Sequence, residues 1–210
     1  MPSGPRPSVR VESKSLMLNQ ENLTSVVDAY EASTRKAIEH ARKLEIPAPV
    51  SITFQTDKLS ALTIDALVNE APKLPRGEGK LRKRGFVYLF ALGDECDVES
   101  HAITSAMRTS KAAGRDADDG KLPAINDKHD GRVLYVGRSW NVMSRIREHL
   151  KADCSKKTYA LRFAAWANEL NLEVELLIWE FPGIADLTLQ VVEDGLWDRL
   201  GPLFGRRGAK

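Results

Sequence analysis

The chain reads as an α/β (α+β) protein with a small central sheet of three antiparallel or mixed strands flanked by helices. Three observations lead there. Short runs rich in β-branched and aromatic residues recur at 84–92 (RGFVYLFAL), 132–137 (RVLYVG) and 172–181 (LEVELLIWEF). Segments with apolar residues at helical spacing lie before, between and after them. Glycine or proline marks the joins, at Gly137, Pro182, Gly183 and Pro202. Strands alternating with helices around a small sheet give that class.

Taken in order, residues 1–19 hold Pro2, Pro5 and Pro7 and few apolar side chains, so a disordered tail is expected. Leu23, Val26, Val27, Tyr30, Ala37, Ile38, Ala41 and Leu44 form a helical stripe, with Asn22 as N-cap and Pro47 and Pro49 as the stop. VSITF at 50–54 alternates as a short strand does. Residues 60–70 predict a helix with Leu62, Ile64, Leu67 and Val68 inward, and 71–80 a Pro/Gly linker. Residues 20–80 are thus a mainly helical N-terminal extension, either a recognition or dimerisation module or a cover for the core. The main domain is 81–210. Its first strand puts Phe86, Tyr88 and Phe90 on one face and Val87 and Leu89 on the other. A long insertion at 93–131 includes a helix over 98–113. A helix over 159–170 turns Leu161, Ala164, Ala165 and Ala167 inward, and a last helix covers 187–200.

Composition narrows the class. A hydrophobic share of 42% over 210 residues is ordinary for a globular chain. No apolar run is long enough to cross a bilayer, and MPSGPRPSVR lacks the apolar centre of a signal peptide, so no membrane and a cytoplasmic location are expected. Cys96 and Cys154 are far apart with no CxxC pair, which predicts reduced thiols and no zinc cluster. Net charge is +2, and the distribution says more. Basic residues gather at Arg82, Lys83 and Arg84, along 138–157 (including Arg147, Lys151, Lys156 and Lys157), and at Arg206, Arg207 and Lys210. A charge run is usually a solvated face, but three basic runs flanking one motif point to a phosphate-facing surface.

That motif is 132–150, RVLYVGRSWNVMSRIREHL. A strand, Gly137 and a helix with Val142, Met143, Ile146 and Leu150 inward bring Tyr135, Arg145 and His149 to one neighbourhood. Arg145 and His149 are four apart and share a side of the helix. A phenol, a guanidinium and an imidazole together suit a phosphate. In the last helix Glu193 lies with Leu189, Leu196 and Trp197 on the inward side. A carboxylate facing a core must pair, with Arg145 or Arg162 as the partner, or bind a metal. GxxxxGK[ST], GxGxxG, GxSxG and HExxH are all absent. The acidic cluster Asp116, Asp118, Asp119 has Arg115 at the first calcium-ligand position, which rules out a calcium loop. His40, His101 and His129 lack partners at useful spacing and are expected to be exposed.

These residues resemble the GIY-YIG nuclease family. Val87-Tyr88 looks like the end of its first signature, and Tyr135-Val136-Gly137 matches the second. Arg138, Ser139 and Asn141 look like the usual continuation, with Gly137, Arg138 and Asn141 in supporting positions. Arg145 sits where the family carries its catalytic arginine, His149 where it carries histidine or tyrosine, and Glu193 in the helix of its metal-binding glutamate. The tail GPLFGRRG is similar to the family's ending, with Gly205 where asparagine often stands; in the first signature, Gly85-Phe86-Val87-Tyr88, either the glycine comes one residue early or Phe86 replaces it. The resemblance covers roughly 84–207. It implies a three-stranded GIY-YIG-like core and a Mg²⁺- or Mn²⁺-dependent endonuclease acting on DNA, of restriction, mobile-element or repair type. It also implies a homodimer where both strands are cut. Glu193 would hold the metal, Arg145 the scissile phosphate, and Tyr88 and Tyr135 the water, with Tyr88 or His149 as base. Arg138 would acidify the tyrosines. The alternative is a weakened fold member that only binds nucleic acid.

Overall fold

The computed structural model describes residues 20–72, 84–116, 121–129, 131–152 and 158–208. The expected tail at 1–19, most of the 71–80 linker, Asp118, Asp119, Cys154, Arg82, Lys83, Lys156 and Lys157 lie outside the described residues. The chain divides into two compact units, Met1–Lys36 and Ala37–Lys210. In the first, residues 20–36 are helical and belong to α1 (Gln20–Arg42). There Arg35 pairs with Glu31 one turn earlier at 2.8 Å.

The second unit is built on an antiparallel sheet. Its strands are β1 (Val50–Gln55), β2 (Gly85–Leu92), β3 (Val133–Ser139) and β4 (Glu173–Phe181), in the order β1-β4-β2-β3. The sheet therefore has four strands among the described residues, not the three expected. VSITFQ is the additional one, pairing with β4 from Val50 opposite Ile178 to Gln55 opposite Glu173. Ile52 and Phe54 are buried because this register puts them on the same face as Leu176 and Val174. The boundary drawn at residue 80 thus falls inside one unit: β1 and α2 (Ala61–Glu70) share the core of the rest.

Seven of the eight residues of β2 are buried, since both of its faces are covered. On one face Phe86, Tyr88 and Phe90 join Leu134, Leu176 and Ile178. Over them lie α2, α3 (Ser100–Asp116), α4 (Val142–Leu150) and the single turn α5 (Phe163–Trp166). On the other face Val87, Leu89, Val133 and Val136 meet α6 (Asp186–Leu200) through Leu189, Val192, Leu196 and Leu200. The result is helix, sheet, helix in three layers, an α+β arrangement. The C-terminal segment lies along β3, its Leu203 and Phe204 N–H groups donating to the carbonyls of Val133 (2.8 Å) and Leu134 (3.0 Å).

Local chemistry sets the start of α2. Ser60 caps α2 reciprocally with Thr63, each side chain taking the other's backbone N–H. Ile64 and Val68 are then buried and Leu67 half-buried. Leu62, expected inward, is 84% exposed because it points nearly opposite Ile64. The helix expected over 159–170 shrinks to α5 and a 3₁₀ turn, Asn168–Leu170. Its early donors go elsewhere: Ala160 N–H to the Lys121 carbonyl and Leu161 N–H to His149. Arg162 then takes a left-handed conformation, φ 55°, which breaks the helical path, and Ala165 ends exposed rather than inward. No described helix is long and apolar enough to cross a membrane.

Candidate active site

Four expected residues meet on the α4 side of the sheet. Tyr88 rises from the centre of β2, opposite Gly137 of β3. A Cβ on Gly137 would lie 2.5 Å from the Tyr88 oxygen and 2.7 Å from Tyr135 Cε1, so only glycine lets the phenol lie there. The two tyrosine rings stack 6.2 Å apart at 16°. Asn141 caps α4 by accepting from the Ser144 N–H at 3.2 Å, which sets the helix carrying Arg145 and His149. Its supporting role is therefore local.

The Tyr88 oxygen is the hub. Arg145 Nε donates to it at 3.1 Å, and His149 Nε2 lies 3.1 Å away. The Leu161 N–H donates to His149 Nδ1 at 3.0 Å, so in the neutral ring the proton sits on Nε2 and points at Tyr88. His149 is wholly buried, and burial followed by the nearby Arg145 charge holds its pKa well below the ordinary 6.5. It is a neutral donor to a phenol and has no face for a solvent-borne nucleophile. Arg145 also donates to Glu148 at 2.7 Å, to the Tyr159 carbonyl, and to the Tyr135 hydroxyl at 3.4 Å. Thr158 donates to the same Glu148 oxygen at 3.1 Å.

Burial pushes both tyrosine pKa values above their ordinary range, while Arg145 pulls them back in part. Arg138 takes no part in that, contrary to expectation. It alternates to the other face of β3, where its NH1 meets Asp186 at 2.7 Å and its Nε lies 2.9 Å from Glu193 Oε2. Glu193 is 8% exposed, and its partner is Arg138 rather than Arg145 or Arg162. The contact has the length of an ion pair, and Arg138 favours the Glu193 charge by proximity and hydrogen bonding. Burial raises the Glu193 pKa to about 7, against the pull of Arg138 and with a push from Asp194. Its charge contributes to the rise of both tyrosines, so it lies within electrostatic reach of them.

Gly205 stands against the site from the C-terminal segment. Its φ is +105°, and a Cβ there would be 3.1 Å from the Tyr135 ring. Conformation and space both call for glycine. Of the basic residues expected to face nucleic acid, Arg84, Arg147 and Arg207 pair with Glu180, Asp65 and Asp198. Lys151 ends α4 and Arg206 is exposed. His40 and His101 are exposed as expected, whereas His129 is half-buried with Nδ1 lacking a partner. Glu148 was missed although its i+3 spacing from Arg145 was readable. The Tyr159 and Leu161 backbone groups carry no side-chain signal at all.

Comparison of the chain with protein-family models, with curated proteins and with solved structures finds no match.

Proposed function

We propose that this chain is a metal-dependent endonuclease that hydrolyses DNA phosphodiester bonds through a GIY-YIG-type site. The observation that carries the reading is the network in which Arg145 and His149 both donate to Tyr88 while Arg145 also reaches Tyr135. Those are the four residues that the signature resemblance names on this side of the sheet. Tyr135 is half-buried and Tyr88 only 1% exposed, so Tyr135 is the phenol that a water can touch. Tyr135 holds that water for attack, and Tyr88 takes up the developing charge behind it, supported by two donors. Arg145 has one fork directed at this pair, and a phosphate that displaces Glu148 or the Tyr159 carbonyl gains a bidentate partner.

Glu193 offers a hard carboxylate oxygen, and a cation held there would take the place of Arg138 at Oε2. Among the described residues no three His, Cys, Asp or Glu converge. Glu193 would therefore hold the ion alone from the protein side, with waters and substrate oxygens completing the shell, as Mg²⁺ allows. When bound, Mg²⁺ or Mn²⁺ supplies neutralising charge at the leaving oxygen. Cutting both strands of a duplex takes two such sites, hence two copies on the DNA. A restriction or mobile-element role fits that arrangement.

Supercoiled plasmid with Mg²⁺ tests the reading, beside Glu193→Ala and a chelator control. Nicked or linear product that disappears in both controls is the expected result. Full cutting by Glu193→Ala sinks the metal assignment. The second reading, a nucleic-acid-binding protein without cleavage, is favoured by the Glu193–Arg138 pair and by the engagement of Arg145 with Glu148. A shifted band without product is its signature.

A further inference from the structure

Arg162 is the charged residue that the network leaves over. It is 6% exposed, and its Nε is buried without a hydrogen-bond partner. Among the described residues no carboxylate, carbonyl or aromatic ring engages its guanidinium. A buried N–H without an acceptor is costly, and an anion seated on the guanidinium would supply one. Its backbone is also in the left-handed region, φ 55° and ψ 49°, which a residue with a Cβ rarely adopts. Two independent unfavourable features thus coincide at one position.

Its place in the chain gives them a purpose. Residues 159–162 run against the candidate site: the Tyr159 carbonyl accepts from Arg145, and the Leu161 N–H donates to His149. We infer that Arg162 is an anion subsite whose counter-charge is a phosphate of the nucleic-acid strand lying across this segment. The inference rests on the proposed function for the identity of the strand, but not for the anion. A guanidinium suits a phosphate because its donors form a planar fork matched to two oxygens.

The test is thermal unfolding of the full chain with and without inorganic phosphate at constant ionic strength. It uses wild type, Arg162→Gln, Arg162→Lys and, as a control, the exposed helical Arg108→Gln. Phosphate is expected to raise the wild-type and Arg108→Gln midpoints. The rise should vanish in Arg162→Gln and shrink in Arg162→Lys, which keeps the charge but loses the fork. Should Arg162→Gln fail to fold, the lysine variant alone decides. A second arm measures duplex-DNA binding in chelator as salt is varied. Arg162→Gln is expected to lower the slope of log affinity against log salt by about one, the loss of one phosphate contact. An unchanged phosphate response in Arg162→Gln overturns the inference, as does a higher midpoint in that variant with the same response. A lost phosphate response with an unchanged slope keeps the subsite and assigns it to a free phosphate. If wild-type protein binds no DNA while the phosphate response depends on Arg162, the nuclease reading falls and the subsite stands.

Discussion

A methyl group at Gly137 would have to displace the Tyr88 hydroxyl or swing the Tyr135 ring. Gly137→Ala is therefore expected to cost about 1–3 kcal/mol of stability, as overpacking does, and to abolish any cleavage. Urea midpoints and the plasmid assay check the two effects separately. Two buried groups also give the chain opposing responses to pH. His149 takes a proton more readily unfolded than folded, so its contribution is full above 6.5 and is lost as pH falls below that. Glu193 takes its proton more readily folded, so its charge destabilises the fold increasingly from 4.5 up to about 7. In wild type the two partly cancel. Glu193→Gln should lose Tm on acidification from pH 7 to 5 more steeply than wild type, and His149→Gln should lose less. Parallel curves for all three would refute this. At this scale Tyr88, Tyr135, Arg145 and His149 were legible because strand alternation and i, i+4 spacing fix their directions. Arg138 was misjudged because adjacency in sequence means opposite faces in a strand.

Among the elements, α4 shows how a cap can act on chemistry. Asn141→Ala removes the side-chain acceptor for Ser144 N–H and should cost about 1 kcal/mol. The frayed first turn holds Arg145 less firmly, so chemical denaturation and cleavage rate should fall together. The 159–170 segment teaches the opposite lesson. Its apolar residues recur at helical spacing, yet His149, Lys121 and Arg145 claim the backbone groups that a helix would use among themselves. Periodicity records which side chains are buried, and cannot say which partner a backbone N–H will find. The α2 boundary was readable because Ser60 and Thr63 satisfy each other locally.

The whole sheet depends on pieces that the sequence pattern alone assigns to a separate extension. Removing residues 1–75 takes away β1 and α2, and with them Ile52, Phe54, Ile64 and Val68 from the core. Such a chain is expected to show no cooperative unfolding by calorimetry, whereas one starting at Ala37 retains all four strands. A sharp transition in the shorter chain would show that β1 is dispensable. Five residues alternating in hydrophobicity announce a strand but not the strand beside which it lies, because pairing at that sequence distance is decided by the completed core.

The residues of the candidate site span the chain from Tyr88 to Gly205. Glu193 belongs to α6, and the segment that packs against Tyr135 is stitched to β3 after it. Synthesis runs from the N-terminus, so these parts leave the ribosome late. A nascent chain has its tyrosines, arginine and histidine in hand well before its carboxylate and its final clasp. The candidate site therefore closes only once Leu203 and Phe204 have paired with β3 and set Gly205 against the Tyr135 ring.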